Sequence, residues 1–500
     1  MNTDESFKRE KLPPNYSRFI HALRNIGYSF EEAVADVTDN SIDAKAGKVH
    51  LRFIIQKERV DLLIVDNGEG MDPAELREAM RFGGDPVEKK EKRLGMFGLG
   101  LKLASIAHAE SLLVVSLRDA EYSGRAWTDE GLKEGFACDL LTDEKIQEIA
   151  SNSEIPNNAG SGTWVYWECL FRFEDEFEFP NEFCEKQVKK LRGYLGLHLH
   201  RLLGRTKITI DIYDRNLDEL GPERRVVALD PFGYKNSGAK AYPVKMYAPE
   251  PSKDHFSIEA HIWPPNSTTK EYKLPGGTNR RQGLYFYRND RLLSGGTWHG
   301  IREEESHSSL ARVAIDLEVE VERKASVDVR KARVKLTPEM QEAISSAETA
   351  DGRTFRQYLS IANENYRTAK KKDPKSFPLV PDEGYPRALT KMLQELLDSG
   401  NTGNARTVDF EWYDFEDEEV FFEIDRPEKI IWLNEAFREL FRTGKRLSKN
   451  DGVLTKTLLF IILRDLLDTE RLAKKKLAYI DQLNEILFAS AQNDLSRMGV

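Results

Sequence analysis

Residues 30–44, "FEEAVADVTDNSIDA", set the reading of the whole chain. Ser29 and Glu32 form a capping-box pattern, so a helix opens here and runs to about Lys45. On such a helix Asp36, Asn40 and Asp43 are spaced four and three apart and share one face, while Val34, Val37 and Ile42 call for burial. Three polar groups placed in this way repel one another unless something sits between them. A solvated acidic face is the ordinary explanation. Two motifs that follow at short range point instead to a ligand.

The first is "IVDNGEGM", residues 64–71, a strand that runs into Asp66-x-Gly68-x-Gly70 and Met71. An Asn-Gly pair after a strand suggests a hairpin turn, but the next segment, "MDPAELREAM", is a helix start with Asp72, Glu75 and Pro73 as its signals. A carboxylate at the end of a buried strand can accept a hydrogen bond from an exocyclic amine, and glycines let a flat base approach the backbone. The second motif is "GMFGLGLKLAS", residues 95–105, where Gly95, Gly98 and Gly100 precede an apolar helix. Backbone N–H groups at a helix start form an anion site when no side chains intervene. The Walker template misses, because Gly100 is followed by Leu101 and Lys102.

In this order, and within about 70 residues, the three motifs describe one nucleotide site. The amide oxygen of Asn40 suits Mg²⁺, a hard cation shared with phosphates. Asp66 reads the adenine, with Gly68, Gly70 and Met71 beside it. Gly95, Gly98, Leu99, Gly100 and Lys102 hold the phosphate side. Asp36, one turn before Asn40, faces the terminal phosphate and takes a proton from attacking water. The cofactors expected are therefore ATP and Mg²⁺.

Composition sets wider bounds. The chain has 500 residues, too many for one ordinary core. Its net charge of −10 argues against wrapping nucleic acid over the whole surface. Local basic runs occur at 89–93 ("KKEKR"), 370–372 and 474–476. Three cysteines without a C-x-x-C pair give neither a disulfide framework nor a zinc knuckle. No apolar run of about 18 residues and no apolar signal core occur, so no membrane association and a cytoplasmic location are expected.

These motifs, with "GSGTWVYWE" supplying a later Gly-Thr at Thr163, resemble the GHKL superfamily with its Bergerat fold. That group contains gyrase-type ATPases, MutL, the ninety-kilodalton heat-shock chaperones, histidine kinases and MORC proteins. "NSIDAKAGKVHLRF" and "FGLGLKLASIAHAESLLVVS" look most like MORC and its prokaryotic relatives, and the likeness covers roughly residues 15–345. The resemblance implies an α+β fold: a GHKL α/β-sandwich ATPase domain over 1–185 and a gyrase/MutL-type α/β transducer domain over 186–345. A helix and linker over 346–390 and a mainly helical C-terminal domain over 391–500 follow from local patterns.

By the same resemblance Thr163 and Asp43 belong to the nucleotide site, and a transducer cation reaches the γ-phosphate. "SVDVRKARVKL" offers Lys331 and Arg330. Only alternate side chains of a strand face one way, and Lys331 is the choice. The hydrolytic members carry a glutamate four residues before the asparagine, whereas Asp36 stands there in this chain. The carboxylate then sits about 1.5 Å further back, one C–C bond. Misplacement of about 1 Å can cost on the order of a hundredfold in rate, so slow hydrolysis is expected.

The functional expectation is an ATP-gated homodimer. A lid over about 82–98, hinged at Gly83 and Gly84, closes on ATP and gates a client, with DNA a candidate through "KKEKR". The competing expectation is an ATP-sensing scaffold without significant hydrolysis, whose C-terminal helices recruit an effector protein.

Overall fold

A computed structural model describes residues 15–24, 29–82, 100–152, 160–171, 180–249, 255–317, 326–328, 333–370, 379–397, 406–413, 415, 419–426, 429–442, 448–467 and 474–498. Gly95, Gly98, Leu99, Lys331, Arg330 and nearly all of the expected lid lie outside these residues.

The chain divides into two compact units. The first comprises residues up to Ala228 together with Arg288–Leu292 and Asp328–Arg333. Its sheet has nine strands: β1 (Lys48–Gln56), β2 (Arg59–Asp66), β3 (Ala109–Arg118), β4 (Glu121–Trp127), β5 (Asp139–Leu140), β6 (Gly162–Leu170), β7 (Lys207–Asp214), β8 (Glu219–Leu220) and β9 (Arg224–Arg225). The order is β5-β4-β3-β6-β2-β1-β7-β8, and β9 also pairs with β7. Two antiparallel registers, Asp66↔Thr163 between β2 and β6 and Ser116↔Thr163 between β3 and β6, set three side chains in adjacent strands at one level.

Among the described residues this unit has the helices α1 (Tyr16–Arg24), α2 (Phe30–Asp43), α3 (Pro73–Met80), α4 (Gly100–His108), α5 (Asp129–Lys133), α6 (Asp143–Ser151) and α7 (Pro180–His198). Both faces of the sheet are covered, as the near-continuous burial along β1 and β2 requires. One face meets α2 and α7 in a core that includes Val34, Val37, Leu51, Phe53, Leu62 and Leu191. The opposite face packs Ile54, Leu63 and Val65 with Ile146 and Ile149 of α6.

The capping boxes read from sequence are formed. Ser29 Oγ accepts from the Glu32 N–H at 3.2 Å, and Glu32 Oε2 accepts from the Ser29 N–H at 3.1 Å. Asp72 caps α3 in the same reciprocal way with Glu75, and Pro73 stands at the first helical position. The break expected at 185/186 falls elsewhere. α7 and β7 remain with the first unit, because β7 lies parallel to β1 in one sheet, Lys48↔Lys207 through Ile55↔Asp214.

Three further sheets lie mainly in the second unit, although Arg288, Arg291, Leu292, Asp328 and Arg333 of their strands count with the first. One has β10 (Val244–Pro249), β11 (His255–Ile262), β12 (Gly283–Arg288), β13 (Arg291–Gly295) and β14 (Ala311–Asp316), in the order β10-β11-β14-β12-β13. Met340 and Ile344 of α8 (Pro338–Ser345) and Phe355 and Tyr358 of α9 (Phe355–Lys370) share its core. Ser326–Asp328 (β15) and Arg333–Lys335 (β16) pair as a two-stranded piece.

The region expected to be mainly helical also contains a four-stranded sheet. Its strands are β17 (Leu379–Pro381), β18 (Arg406–Tyr413), β19 (Phe422–Asp425) and β20 (Ile430–Asn434), and its helices are α10 (Arg387–Leu397), α11 (Val453–Leu467) and α12 (Lys474–Met498). The acidic-aromatic segment forms β18 because its apolar residues alternate: Val408 and Phe410 are buried while Thr407 and Glu411 are exposed. Within this unit Asp425 fastens the segment Gly277–Arg280 by accepting from the Thr278 N–H at 3.0 Å. Among the described residues no helix is long and apolar enough to cross a membrane.

Replacing Ser29 by alanine removes one half of the α2 capping box and leaves an orphan amide. We expect a stability loss of about 1 kcal/mol, read from the chemical-denaturation midpoint; an unchanged midpoint would show that the cap is immaterial.

Candidate functional site

The end of β2 holds a buried, hydrogen-bonded carboxylate. Asp66 is buried; its Oδ2 accepts from Ser41 Oγ of α2 at 2.8 Å and its Oδ1 accepts from the Gly68 N–H at 2.8 Å. Burial pushes its carboxyl above the ordinary range, and hydrogen bonds from Gly68, Ser41 and the Thr163 backbone pull the other way. An ionised carboxylate has about four lone-pair sites, so these partners leave room for a further donor.

The two glycines after Asp66 are structurally compelled. A Cβ on Gly68 would lie 2.8 Å from the Ala44 carbonyl oxygen and 2.9 Å from Asp66 Oδ1. Gly70 has φ +66°, and a Cβ there would meet the Leu117 carbonyl oxygen at 2.1 Å. Beside them the Met71 N–H donates to Ser116 Oγ at 2.8 Å, and Ser116 Oγ donates to the Gly162 carbonyl at 3.2 Å and lies 3.4 Å from Thr163 Oγ1. Ser161 Oγ donates to the Gly68 carbonyl at 2.7 Å. Asp66, Gly68, Gly70, Met71 and Thr163 are thus gathered, with Ser41 and Ser116 as supports. Such a group of acceptors and hydroxyls, backed by glycines, suits the hydrogen-bonding edge of a flat heterocycle.

The acidic face of α2 holds a feature that the sequence reading did not include. Asp39, between Asp36 and Asn40, is buried, and its Oδ2 forms an ion pair with Nε of Arg291. Arg291 NH2 also lies 3.5 Å from Asp36 Oδ1. The Asp39 and Arg291 side chains are each 6% exposed, whereas that of Asp36 is 29% exposed. Asn40 is exposed, and Asp43 ends the helix, partly buried. Burial pushes the Asp39 carboxyl up to about 7; Arg291 and Arg288 oppose this, while Asp36 and Asp43 add to it. Asp39 Oδ1 has no hydrogen-bond partner among the described residues.

Lys102, expected on the phosphate side, is buried. Its ammonium donates to the Ala79 carbonyl at 2.8 Å and the Arg81 carbonyl at 2.7 Å, at the end of α3, and burial lowers it to about 8. Gly100 opens α4 as expected. The spacing of Asp39, three residues after Asp36 and four before Asp43, was the available signal for it. Arg291 gave none, because nothing local in "YRNDRLL" distinguishes it from Arg288.

Residues 28–163 match the family model described as "Histidine kinase-, DNA gyrase B-, and HSP90-like ATPase". The ATPase morc-1 of Caenorhabditis elegans is 30% identical over 118 residues, which cover 24% of this chain and 14% of that protein. The Arabidopsis thaliana proteins MICRORCHIDIA 5 and MICRORCHIDIA 7 are 31% identical over 107 residues and 27% identical over 106 residues, in each case 20% of this chain and 15% of the relative. The chain therefore spans a small part of the length of these curated relatives.

The raised Asp39 carboxyl makes stability depend on pH. Its folded-state value, about 7, lies above the ordinary 3.8, so the fold binds the proton more tightly than the unfolded chain does. The associated stability is fully present below about 3.8 and is lost as pH rises towards about 7. Asp39→Asn removes this dependence. Wild type should lose stability relative to the variant by on the order of 1 kcal/mol per pH unit across that window, measured by denaturation at a series of pH values; a constant difference would refute the assignment.

Proposed function

We propose, on the premise that residues 28–163 are a GHKL-type ATPase domain of MORC-like sequence, that the chain binds ATP with Mg²⁺ and hydrolyses it slowly. The observation that carries this reading is the buried Asp66 carboxylate, fixed by Ser41 and Gly68 in a glycine-backed recess. In this reading Asp66 accepts the exocyclic amine of adenine, and Gly68, Gly70 and Met71 take the face of the base. Thr163 and Ser116 supply hydroxyls beside it. The segment through Gly95, Gly98, Leu99 and Gly100 holds the phosphates at the start of α4. Lys102 fastens α4 to the end of α3 next to that segment.

Mg²⁺ is suited to the exposed amide oxygen of Asn40, with Asp43 one turn further on, and would neutralise phosphate charge. Asp36, a turn before Asn40, takes the proton as water oxygen attacks the γ-phosphorus and the bond to the β-phosphate oxygen breaks, releasing ADP and phosphate. Lys331 is the proposed transducer contact to the γ-phosphate. From the family resemblance we add lid closure and homodimerisation on ATP binding, with DNA as a client.

A second reading draws support from α11. Leu454, Leu458, Ile461 and Ile462 are 75%, 52%, 65% and 42% exposed, at the spacing of one helical face. A scaffold that recruits an effector protein when ATP is bound would use such a face.

Steady-state turnover of wild type, Asp36→Ala and Asp36→Glu separates the two. Hydrolysis predicts a loss of about a hundredfold or more in Asp36→Ala and faster turnover in Asp36→Glu. If wild type and Asp36→Ala are equally inactive while ATP still drives dimerisation, the scaffold reading stands. For the client, duplex-DNA binding should weaken with salt and respond to a nonhydrolysable ATP analogue; an affinity indifferent to both would remove DNA.

A further inference from the structure

Arg291 is a cation where the sequence offers only acids. Asp36, Asp39 and Asp43 recur along α2, and the proposed substrate is itself a polyanion. Three carboxylates on one helix repel one another unless a positive charge is built in. Arg291 supplies that charge from 255 residues away in sequence. It belongs to the segment Arg288–Leu292, which is part of the first unit.

Its position is fixed from both flanks. Asp290 accepts from Arg205 NH2 at 3.1 Å and lies 4.0 Å from Arg201 NH1. The Leu292 carbonyl accepts from His198 Nδ1 at 2.9 Å, and that imidazole stacks on Tyr194 with centroids 4.0 Å apart. The guanidinium is then committed unequally: Nε on buried Asp39, and NH2 at the longer 3.5 Å from Asp36. A group anchored on one aspartate and reaching the next at the limit of hydrogen-bond distance steers that second carboxylate. The greater exposure of Asp36 fits this division, since a base must still meet water.

We propose that Arg291 is a positioning residue for hydrolysis: held by Asp39, it sets the direction and charge of the Asp36 carboxylate, offsetting the shorter reach of aspartate at that position. The proposal rests on the reading of Asp36 as the proton acceptor. It makes the segment Arg288–Leu292 of the first unit part of the machinery that controls turnover, and it gives buried Asp39 the role of anchor.

The test uses the full chain. Single-turnover hydrolysis and fluorescent-nucleotide binding are measured for wild type, Arg291→Ala, Arg291→Lys, Asp36→Ala and the Asp36→Ala/Arg291→Ala double variant, each checked for folding by circular dichroism. Arg291→Ala should keep nucleotide affinity within about threefold and lose about tenfold or more in rate. Arg291→Lys should recover part of that rate, and Arg291→Ala should cost nothing further once Asp36 is alanine. If Asp36→Ala is inactive while folded Arg291→Ala turns over at the wild-type rate or faster, positioning is overturned and the base survives. If Asp36→Ala turns over normally, the base reading itself has failed. Should Arg291→Ala not fold, Arg291→Lys decides: a normal Kd with a reduced rate supports the proposal, and an unchanged rate overturns it.

Discussion

The hydrogen bond from Ser41 Oγ to Asp66 Oδ2, at 2.8 Å, joins the acidic helix to the strand that ends in the buried carboxylate of Asp66. Both groups are buried, so the bond is costly to leave unmade. It fixes α2 along and around its axis relative to β2, and with it the positions of Asp36, Asn40 and Asp43. The strand side is equally determined, because the registers Asp66↔Thr163 and Ser116↔Thr163 place two hydroxyls next to that carboxylate. Gly68 and Gly70 then turn the chain where any larger residue would strike Ala44 or Leu117.

Electrostatics sets the second constraint. A helix with Asp36, Asp39 and Asp43 that buries one of them as a carboxylate gains from a counter-charge, and Asp39 is buried. Arg291 supplies it while sharing its charge with Asp36. Structural neutralisation and control of the proposed base therefore fall on the same guanidinium. An arrangement of this kind links folding of the first unit to the chemistry proposed for it.

Much of the site was legible because its signals are local. The capping boxes at Ser29 and Asp72, the glycines after Asp66 and the apolar runs of β1, β2 and β6 each follow from neighbouring residues. Other features escaped for physical reasons. The donation of Lys102 to carbonyls at the end of α3, which a helix end leaves unpaired, could not be read from its place after the glycines. The sheet in the C-terminal region was obscured because acidic residues interrupt the apolar pattern of β18, although Val408 and Phe410 still alternate inward.

By itself the sequence determined the order of motifs, and with it the kind of domain, since helix starts, glycine turns and buried strands are encoded within a few residues of one another. Only the tertiary structure decided that α7 and β7 complete the first sheet and that Arg291 faces Asp39 and Asp36. Parallel pairing between distant strands and ion pairs between distant side chains depend on how the whole chain closes on itself. No periodicity along the sequence carries that information.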